Sequence, residues 1–252
     1  MIPVSYDLHI HSCLSPCGDE EMTPANIAGM AAVKELQVIA VTDHNSCKNC
    51  PAVLKAAEAY GVLAIPGMEL TTEEEVHVLC LFAKLSDALA FDAFVYDKLL
   101  PVPNDERIFG RQLIMDEEEH ILGKPEKLLI NATSISFDAV YGLMEEYHGL
   151  MIPAHLDKKT TSQLSNLGFI PPDSRFAVAE LAKLSNLHSL RRKHPYLDTC
   201  NIISNSDAHY LQDIHEPEFR LWVEEVSAEG VLDALVRVKH FFPGWNKIEK
   251  HT

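Results

Sequence analysis

Short apolar runs alternate along this chain with segments whose apolar residues recur at helical spacing. Tyr6 to Ile10, Val38 to Val41, Val62 to Ile65, Val76 to Phe82, Leu150 to Ile152, Phe176 to Leu181 and Asn201 to Ser204 read as strands, with Phe219 to Val223 as one more near the end. Between them, Thr23-Pro24 opens a helix with a hydroxyl cap followed by proline, and Ile27, Met30, Ala31 and Leu36 supply its apolar side. Further helices are predicted over Ala52 to Tyr60, ended by Gly61, and over Phe137 to His148, closed by Gly149. A basic helical stretch covers Leu187 to Lys193, and a final helix covers Val231 to Phe242. In the first strand a period of two puts His9 and His11 on one face and turns Leu8 and Ile10 away.

Strands alternating with helices predict parallel βαβ units and a count close to that of a β/α barrel, where active sites gather at the C-terminal strand ends. The rhythm breaks at about 85–136. There a helix-like run reaches Leu100, followed by Pro101-Val102-Pro103-Asn104 and the acidic stretch Asp116 to Glu119. This region reads as an elaboration packed on the core, placed to act as a lid over one end. The 252 residues suffice for one sizeable core, so residues 1–252 are expected to form a single domain carrying that elaboration.

Composition narrows the partners. With 47% hydrophobic and 23% charged residues the chain is an ordinary globular one, and its formal charge of −16 argues against extended binding to nucleic acid, which needs a basic footprint. A small phosphate-bearing substrate stays compatible, because bound divalent cations dominate the field in a pocket. Met1 to Ser5 lacks a signal-peptide pattern and no run approaches a membrane span, which predicts a cytoplasmic location and no membrane partner. Cys13, Cys17, Cys47, Cys50, Cys80 and Cys200 are then expected as reduced thiols. Cys47 and Cys50 have CxxC spacing; a structural role is the expectation and a redox pair its rival. Oligomeric state stays open.

The chemistry lies where apolar runs end. His9, His11, His44, Glu69, His77, His155, Asp207 and His209 all stand at or beside such ends, whereas His120, His148, His188, His240 and His251 do not. Imidazole and carboxylate donors without thiolate suit zinc, manganese or iron. Eight donors exceed what one ion of four to six ligands can use, so two or three ions sharing bridging groups are expected. Clustered ions suit phosphate ester cleavage, since they activate water and neutralise oxygens that gain charge.

Asp7-Leu8-His9-Ile10-His11-Ser12, Thr42-Asp43-His44-Asn45, Glu69, His77, Pro153-Ala154-His155 and Ser206-Asp207-Ala208-His209 together resemble the motifs of the PHP (polymerase and histidinol phosphatase) superfamily, over residues 5 to about 215. The resemblance implies an α/β fold, a distorted (β/α)7 TIM-like barrel, with a trinuclear metal site. It places His9, His11, Glu69 and Asp207 on one ion, with Glu69 bridging to a second held by His77 and His155, and puts His44 and His209 on a third. A further third-ion ligand is implied in Ser15-Pro16-Cys17-Gly18-Asp19. Asp19 is the expected choice, and the shifted spacing leaves Cys17 and Glu20 open. Asp7 and Asp43 correspond to outer partners that orient the imidazoles. Lys158 and Lys159 stand where similar proteins often carry a basic residue near the substrate phosphate; Arg111 and Arg191 are weaker candidates.

The expected function is a metal-dependent phosphoesterase that hydrolyses a small phosphorylated metabolite or nucleotide through metal-activated hydroxide, using two to three divalent ions. The alternatives are a non-catalytic metal-binding regulatory domain and a nuclease-type domain of the same superfamily.

Overall fold

A computed structural model describes residues 1–237, so the predicted final helix lies partly outside the described residues, and His240 and His251 lie wholly outside them. Strands β1 (Ile2–Ile10), β2 (Val38–Val41), β3 (Leu63–Thr71) and β4 (His77–Phe82) follow one another, interleaved with helices α1 (Pro24–Val33) and α2 (Cys50–Ala59). Next come α3 (Leu85–Lys98), the one-turn α4 (Glu106–Phe109), β5 (Ile114–Met115), β6 (Ile121–Gly123), α5 (Phe137–Glu146) and β7 (Gly149–Pro153). The chain continues with α6 (Gln163–Asn166), β8 (Val178–Glu180), α7 (Leu187–Lys193), β9 (Asn201–Ile203), β10 (Arg220–Val223) and α8 (Ala228–Arg237). Among the described residues no helix is long and apolar enough to cross a membrane.

One sheet runs in the order β10-β1-β2-β3-β4-β7, and β8 pairs with β9. The Leu156 N–H donates to the Glu180 carbonyl at 2.9 Å beyond β7, and Ile10 bridges Ala208 beyond β9. These links curl β1, β2, β3, β4, β7, β8 and β9 into a distorted seven-stranded TIM-like barrel, with β10 added antiparallel on the first half of β1. The interior is apolar. Val4, Tyr6, Leu8, Val38, Ala40, Ile65, Leu79, Ile152, Val178 and Ile203 fill it, with Val231, Ala234 and Leu235 of α8 packed against them.

Two features depart from uniform parallel βαβ units. β4 runs antiparallel to both β3 and β7. The connection from Thr71 to His77 is too short for a crossover, which takes roughly a dozen residues or more, so the chain must turn back. β3 also continues through Pro66-Gly67 to Thr71, which makes Glu69 an interior strand residue. Gly67 permits this, because a Cβ there would meet the Cys80 carbonyl at 2.8 Å and the Leu81 side chain at 2.7 Å.

β1 carries one extra residue against β2: Asp7 pairs with Ile39 and Ile10 with Val41. Leu8 accordingly belongs to the barrel interior with Tyr6, while Ile10 packs outside with Ile27, Ala28 and Val53. Leu8 and Ile10 therefore do not share a face. The bulge turns His9 and His11 into the barrel mouth, the kind of re-aiming bulges perform beside functional sites.

α5 stops at Glu146 instead of His148, and the left-handed residue after it is His148 (φ +57) instead of glycine. Gly149 is already in β7, where a Cβ would meet Phe82 at 2.6 Å and the Met144 sulfur at 2.8 Å. The elaboration is stitched to the core by amides. Asn45 donates to the Leu129 and Asn131 carbonyls at 2.6 and 2.9 Å and accepts from Thr71 N–H, and Asn49 accepts from Met115 N–H and donates to the Leu113 carbonyl. Cys47 and Cys50 are buried free thiols whose sulfurs both contact the Gly67 carbonyl, at 3.3 and 3.4 Å. Burial, with Cys50 beside it, pushes the Cys47 thiol well up, which disfavours the thiolate a redox pair needs.

Candidate metal centre

Every candidate ligand expected from the strand ends reaches one mouth of the barrel, whereas Asp19, expected from the loop after β1, does not. β1 delivers His9 and His11, the turn after β2 His44, and β3 Glu69. His77 enters at the start of β4, which lies beside the end of β3 because the two are antiparallel. His155 follows β7, and Asp207 and His209 follow β9. The turns use left-handed residues at Asn45, His155 and Asp207 (φ +50, +30 and +54), types that tolerate this region better than most.

Glu69 is the hub. Its Oε1 lies 2.9 Å from His77 Nδ1, 3.1 Å from His155 Nε2 and 3.3 Å from His9 Nε2, while Oε2 lies 3.2 Å from His44 Nδ1 and 3.3 Å from His11 Nε2. Asp207 Oδ1 stands 3.3 Å from His9 Nε2 and 3.1 Å from His11 Nε2, and those two nitrogens are 3.2 Å apart. Three donor groups follow: His9, His11, Glu69 and Asp207; His44, Glu69 and His77; and His11, His44 and His209. The first matches the implied first ion. In the second, His44 joins Glu69 and His77, with His155 against the same Glu69 oxygen.

The donors fit divalent cations. Ligand atoms about 2.1 Å from an ion stand about 3.0 to 3.4 Å from one another, the spacing found around Glu69 and Asp207. Within this buried cluster His44 Nδ1, His155 Nδ1 and Glu69 Oε2 have no hydrogen-bond partner among the described residues. Charge points the same way. Burial drives His9 and His11 down, but Glu180, Glu69 and Asp207 outweigh it at His9, and hydrogen bonds to Asp207 and Glu69 hold His11 up at about 9. Burial raises Glu69, yet His77, His9 and His44 hold it well below the usual carboxylate range. Without an ion, protons on His9 and His11 supply the positive charge these carboxylates demand. His44 is pushed well below its ordinary value by burial and His209 down to about 4, so both stay neutral and free to ligate near neutral pH.

The outer partners differ from expectation. Among the described residues Asp7 hydrogen-bonds no imidazole: it accepts from the backbone N–H groups of Ser206 (3.1 Å) and His215 (3.0 Å) and so holds the Asp207 loop. Asp43 acts on His11 through Ser15, accepting from Ser15 Oγ at 2.7 Å while that hydroxyl contacts His11 Nδ1 at 3.0 Å. Both carboxylates are buried beneath the mouth, so their roles are positional.

Glu180 was missed in the sequence. Both of its oxygens lie 3.1 Å from His9 Nδ1, and it accepts from His155 N–H (2.9 Å) and Asn205 Nδ2 (2.7 Å). The available signal was an acid inside the apolar run Phe176 to Leu181, at the height where neighbouring runs end in candidate ligands. Glu180→Gln is expected to weaken metal binding by about 10- to 100-fold with the fold intact, the usual cost of losing an outer partner of a ligating histidine. A metal titration of folded variant with wild-type affinity would remove Glu180 from the centre.

Asp19 does not turn into the cluster. Its carboxylate accepts from Glu21 N–H at 2.9 Å, Glu20 pairs at the surface with Arg111 (3.3 Å), and Cys17 Sγ instead stands 3.1 Å from His209 Nε2. Lys158 pairs with Asp207 Oδ2 at the mouth and also borders a surface groove with Asp157, Leu164 and Asn186, beside which Lys159 is exposed. Arg191 stands near Asp198 at 3.6 Å, outside the cluster.

The model of the PHP domain matches residues 7–239 of this chain. An uncharacterized protein of Methanocaldococcus jannaschii is 35% identical over 79 residues, 28% of this chain and 46% of that protein. The lesion-specific endonuclease Q of Pyrococcus furiosus superposes with a TM-score of 0.66 at 21% identity, covering 94% of this chain and 57% of the endonuclease. A Bifidobacterium adolescentis protein assigned as a metal-dependent phosphoesterase superposes with a TM-score of 0.56 at 16% identity, covering 91% and 94% of the two chains. At those identities the two structures speak for the fold, and this chain spans about half the length of the first two relatives. With the family match running over residues 7–239 and so spanning every residue of the donor cluster, the chain belongs to the PHP domain family.

Proposed function

We propose that this chain is a metal-dependent phosphoesterase acting on a small phosphorylated metabolite or nucleotide, with two or three zinc, manganese or iron ions. The observation that carries the reading is the hub carboxylate Glu69, against which five imidazoles from four strands or strand ends converge. Bound divalent ions supply water activation and neutralise the phosphoryl oxygens. The chain's own residues do the rest. Glu180 fixes His9 by its Nδ1 side, which leaves Nε2 facing the cluster. Asp43, through Ser15, does the same for His11. Asp207 is the one carboxylate of the cluster with appreciable exposure, 16%, so the mouth opens on its side. Lys158 stands there, 39% exposed on Asp207, and offers its ammonium to an arriving phosphate once Asp207 engages a cation. The formal charge of −16 disfavours a long polyanion over a small one. Six free cysteines support a reducing, cytoplasmic setting.

A second reading, cleavage of a phosphoester in a nucleic acid, draws on the overlap with endonuclease Q, whose chain extends well beyond the shared part. A panel of phosphate monoesters, nucleotides, cyclic nucleotides and short oligonucleotides, run with manganese and with zinc, separates the readings. Preference for a monoester or mononucleotide is expected. Efficient digestion of single-stranded DNA would overturn the small-substrate reading, and no turnover at full metal loading would turn it toward a metal-binding regulatory domain. On the best substrate, Lys158→Ala should lower kcat/KM on the order of 10²-fold with metal content unchanged, and Lys159→Ala should have little effect.

A further inference from the structure

We infer that the Cys17 thiolate completes the ion position formed by His11, His44 and His209, giving that position a sulfur donor and a preference for thiophilic cations. The inference rests on the metallohydrolase reading. It concerns which atom, in a loop whose acidic residues turn elsewhere, closes the third position.

The ligand atoms of His11, His44 and His209 lie within 4.8 Å of one another, and Cys17 Sγ adjoins that group at His209. His44 Nδ1 is buried and makes no hydrogen bond among the described residues, and it stands 3.2 Å from Glu69 Oε2, so His44 lies between this position and the one on Glu69. His209 Nδ1 donates to the Asp207 carbonyl at 2.8 Å, which fixes the tautomer and leaves the Nε2 lone pair toward Cys17 Sγ at 3.1 Å. Sulfur about 2.3 Å and nitrogen about 2.1 Å from one ion stand about 3.1 to 3.6 Å apart, depending on coordination geometry, and the observed thiol–imidazole contact falls at the short end of that range, so a cation can take the place of the proton between them.

The loop is built to present Cys17. Ser15 N–H donates to the Ser12 carbonyl at 3.0 Å and Gly18 N–H to the Ser15 carbonyl at 2.9 Å, closing two successive turns. Gly18 is required there, since a Cβ would lie 2.3 Å from the Ser12 carbonyl oxygen. Asp19 N–H then donates to the His209 carbonyl at 3.0 Å, clamping the loop onto the strand-end turn that carries the histidine. The same clamp sends the Asp19 carboxylate to Glu21 N–H, and Glu20 goes out to Arg111. Ligation replaces the thiol proton by the cation and releases that proton to water. Thiolate favours zinc, cobalt or cadmium over manganese or magnesium, whose preferred ligands are oxygen.

Cobalt(II) tests this directly. Metal-free protein titrated with cobalt should develop a sulfur-to-cobalt charge-transfer absorption in the near ultraviolet as the last ion binds. Cys17→Ser should lose the band, while Asp19→Asn keeps it. Zinc should protect Cys17 from alkylation, and Cys17→Ser should weaken one zinc site by more than the roughly 10- to 100-fold that loss of an outer partner costs. Full cobalt loading without the band, or a band that survives Cys17→Ser, overturns the sulfur ligand and leaves the metallohydrolase reading standing. Wild-type protein that binds neither cobalt nor zinc overturns both.

Discussion

His9→Ala and Asp207→Ala should each lower phosphoester hydrolysis by about 10³-fold or more, on the order of 4 kcal/mol of transition-state stabilisation. His9 is held from behind by Glu180 and faces Glu69 and Asp207 with its other nitrogen. Removing it takes away a donor and leaves three carboxylates around a smaller positive charge. Asp207 carries the acidic donor shared by His9 and His11 and is the partner of Lys158, so its loss disturbs both the ion and the phosphate side. The matched control is His148. It is exposed, lies two residues beyond the end of α5, and takes part in no donor group among the described residues. Its φ is +57, so the native histidine already bears the left-handed cost of an L-residue, and His148→Ala leaves that cost largely unchanged. Activity assays on purified, folded variants decide the matter. Wild-type rates in His9→Ala and Asp207→Ala would show that the reaction uses another site.

Much of this centre was legible because its donors stand where apolar runs stop, and barrels collect their chemistry at one set of strand ends. That logic singled out His9, His11, His44, His155, Asp207 and His209, which the fold brings to one mouth. Glu69 and His77 were found too, although the local structure around them is different: β3 runs through Pro66-Gly67 and β4 turns back, so a hairpin brings them together. Nothing in a period-two pattern announces an antiparallel partner; the short link between Thr71 and His77 was the usable sign. Glu180 escaped because a strand three residues long, with alanine at its centre, hides an inward carboxylate among apolar neighbours. Asp7 was misjudged for another reason. Its side chain follows the part of β1 before the bulge and His9 the part after it, so adjacency in sequence did not make them partners in space. The elaboration was legible only as a break in rhythm. Its attachment relies on the side-chain amides of Asn45 and Asn49 reaching backbone groups far along the chain, contacts that leave no periodic trace.

Stripping the ions should abolish turnover and remove a large part of the protein's stability, and the loss should grow with pH. A ligand present at 1,000 times its Kd stabilises the folded state by about 4 kcal/mol, and typical domains have only about 5–15 kcal/mol in total. Two or three tightly held ions therefore dominate the balance. In the metal-free protein, protons on His9 and His11 take the place of the cations. Their folded values lie above the ordinary histidine value, at about 9 for His11. The stability they contribute is complete below about pH 6.5 and is lost as pH rises through the folded value. The same protons compete with cations, so metal binding strengthens over that interval while the stripped protein weakens. The melting temperatures of loaded and chelator-stripped protein should separate progressively from about pH 6.5 to 9, with elemental analysis of the loaded form giving two to three ions per chain. No more than one ion under replete conditions would exclude a shared-ligand cluster. A separation that stays constant or narrows with pH would show that protons on His9 and His11 do not hold the places of the ions.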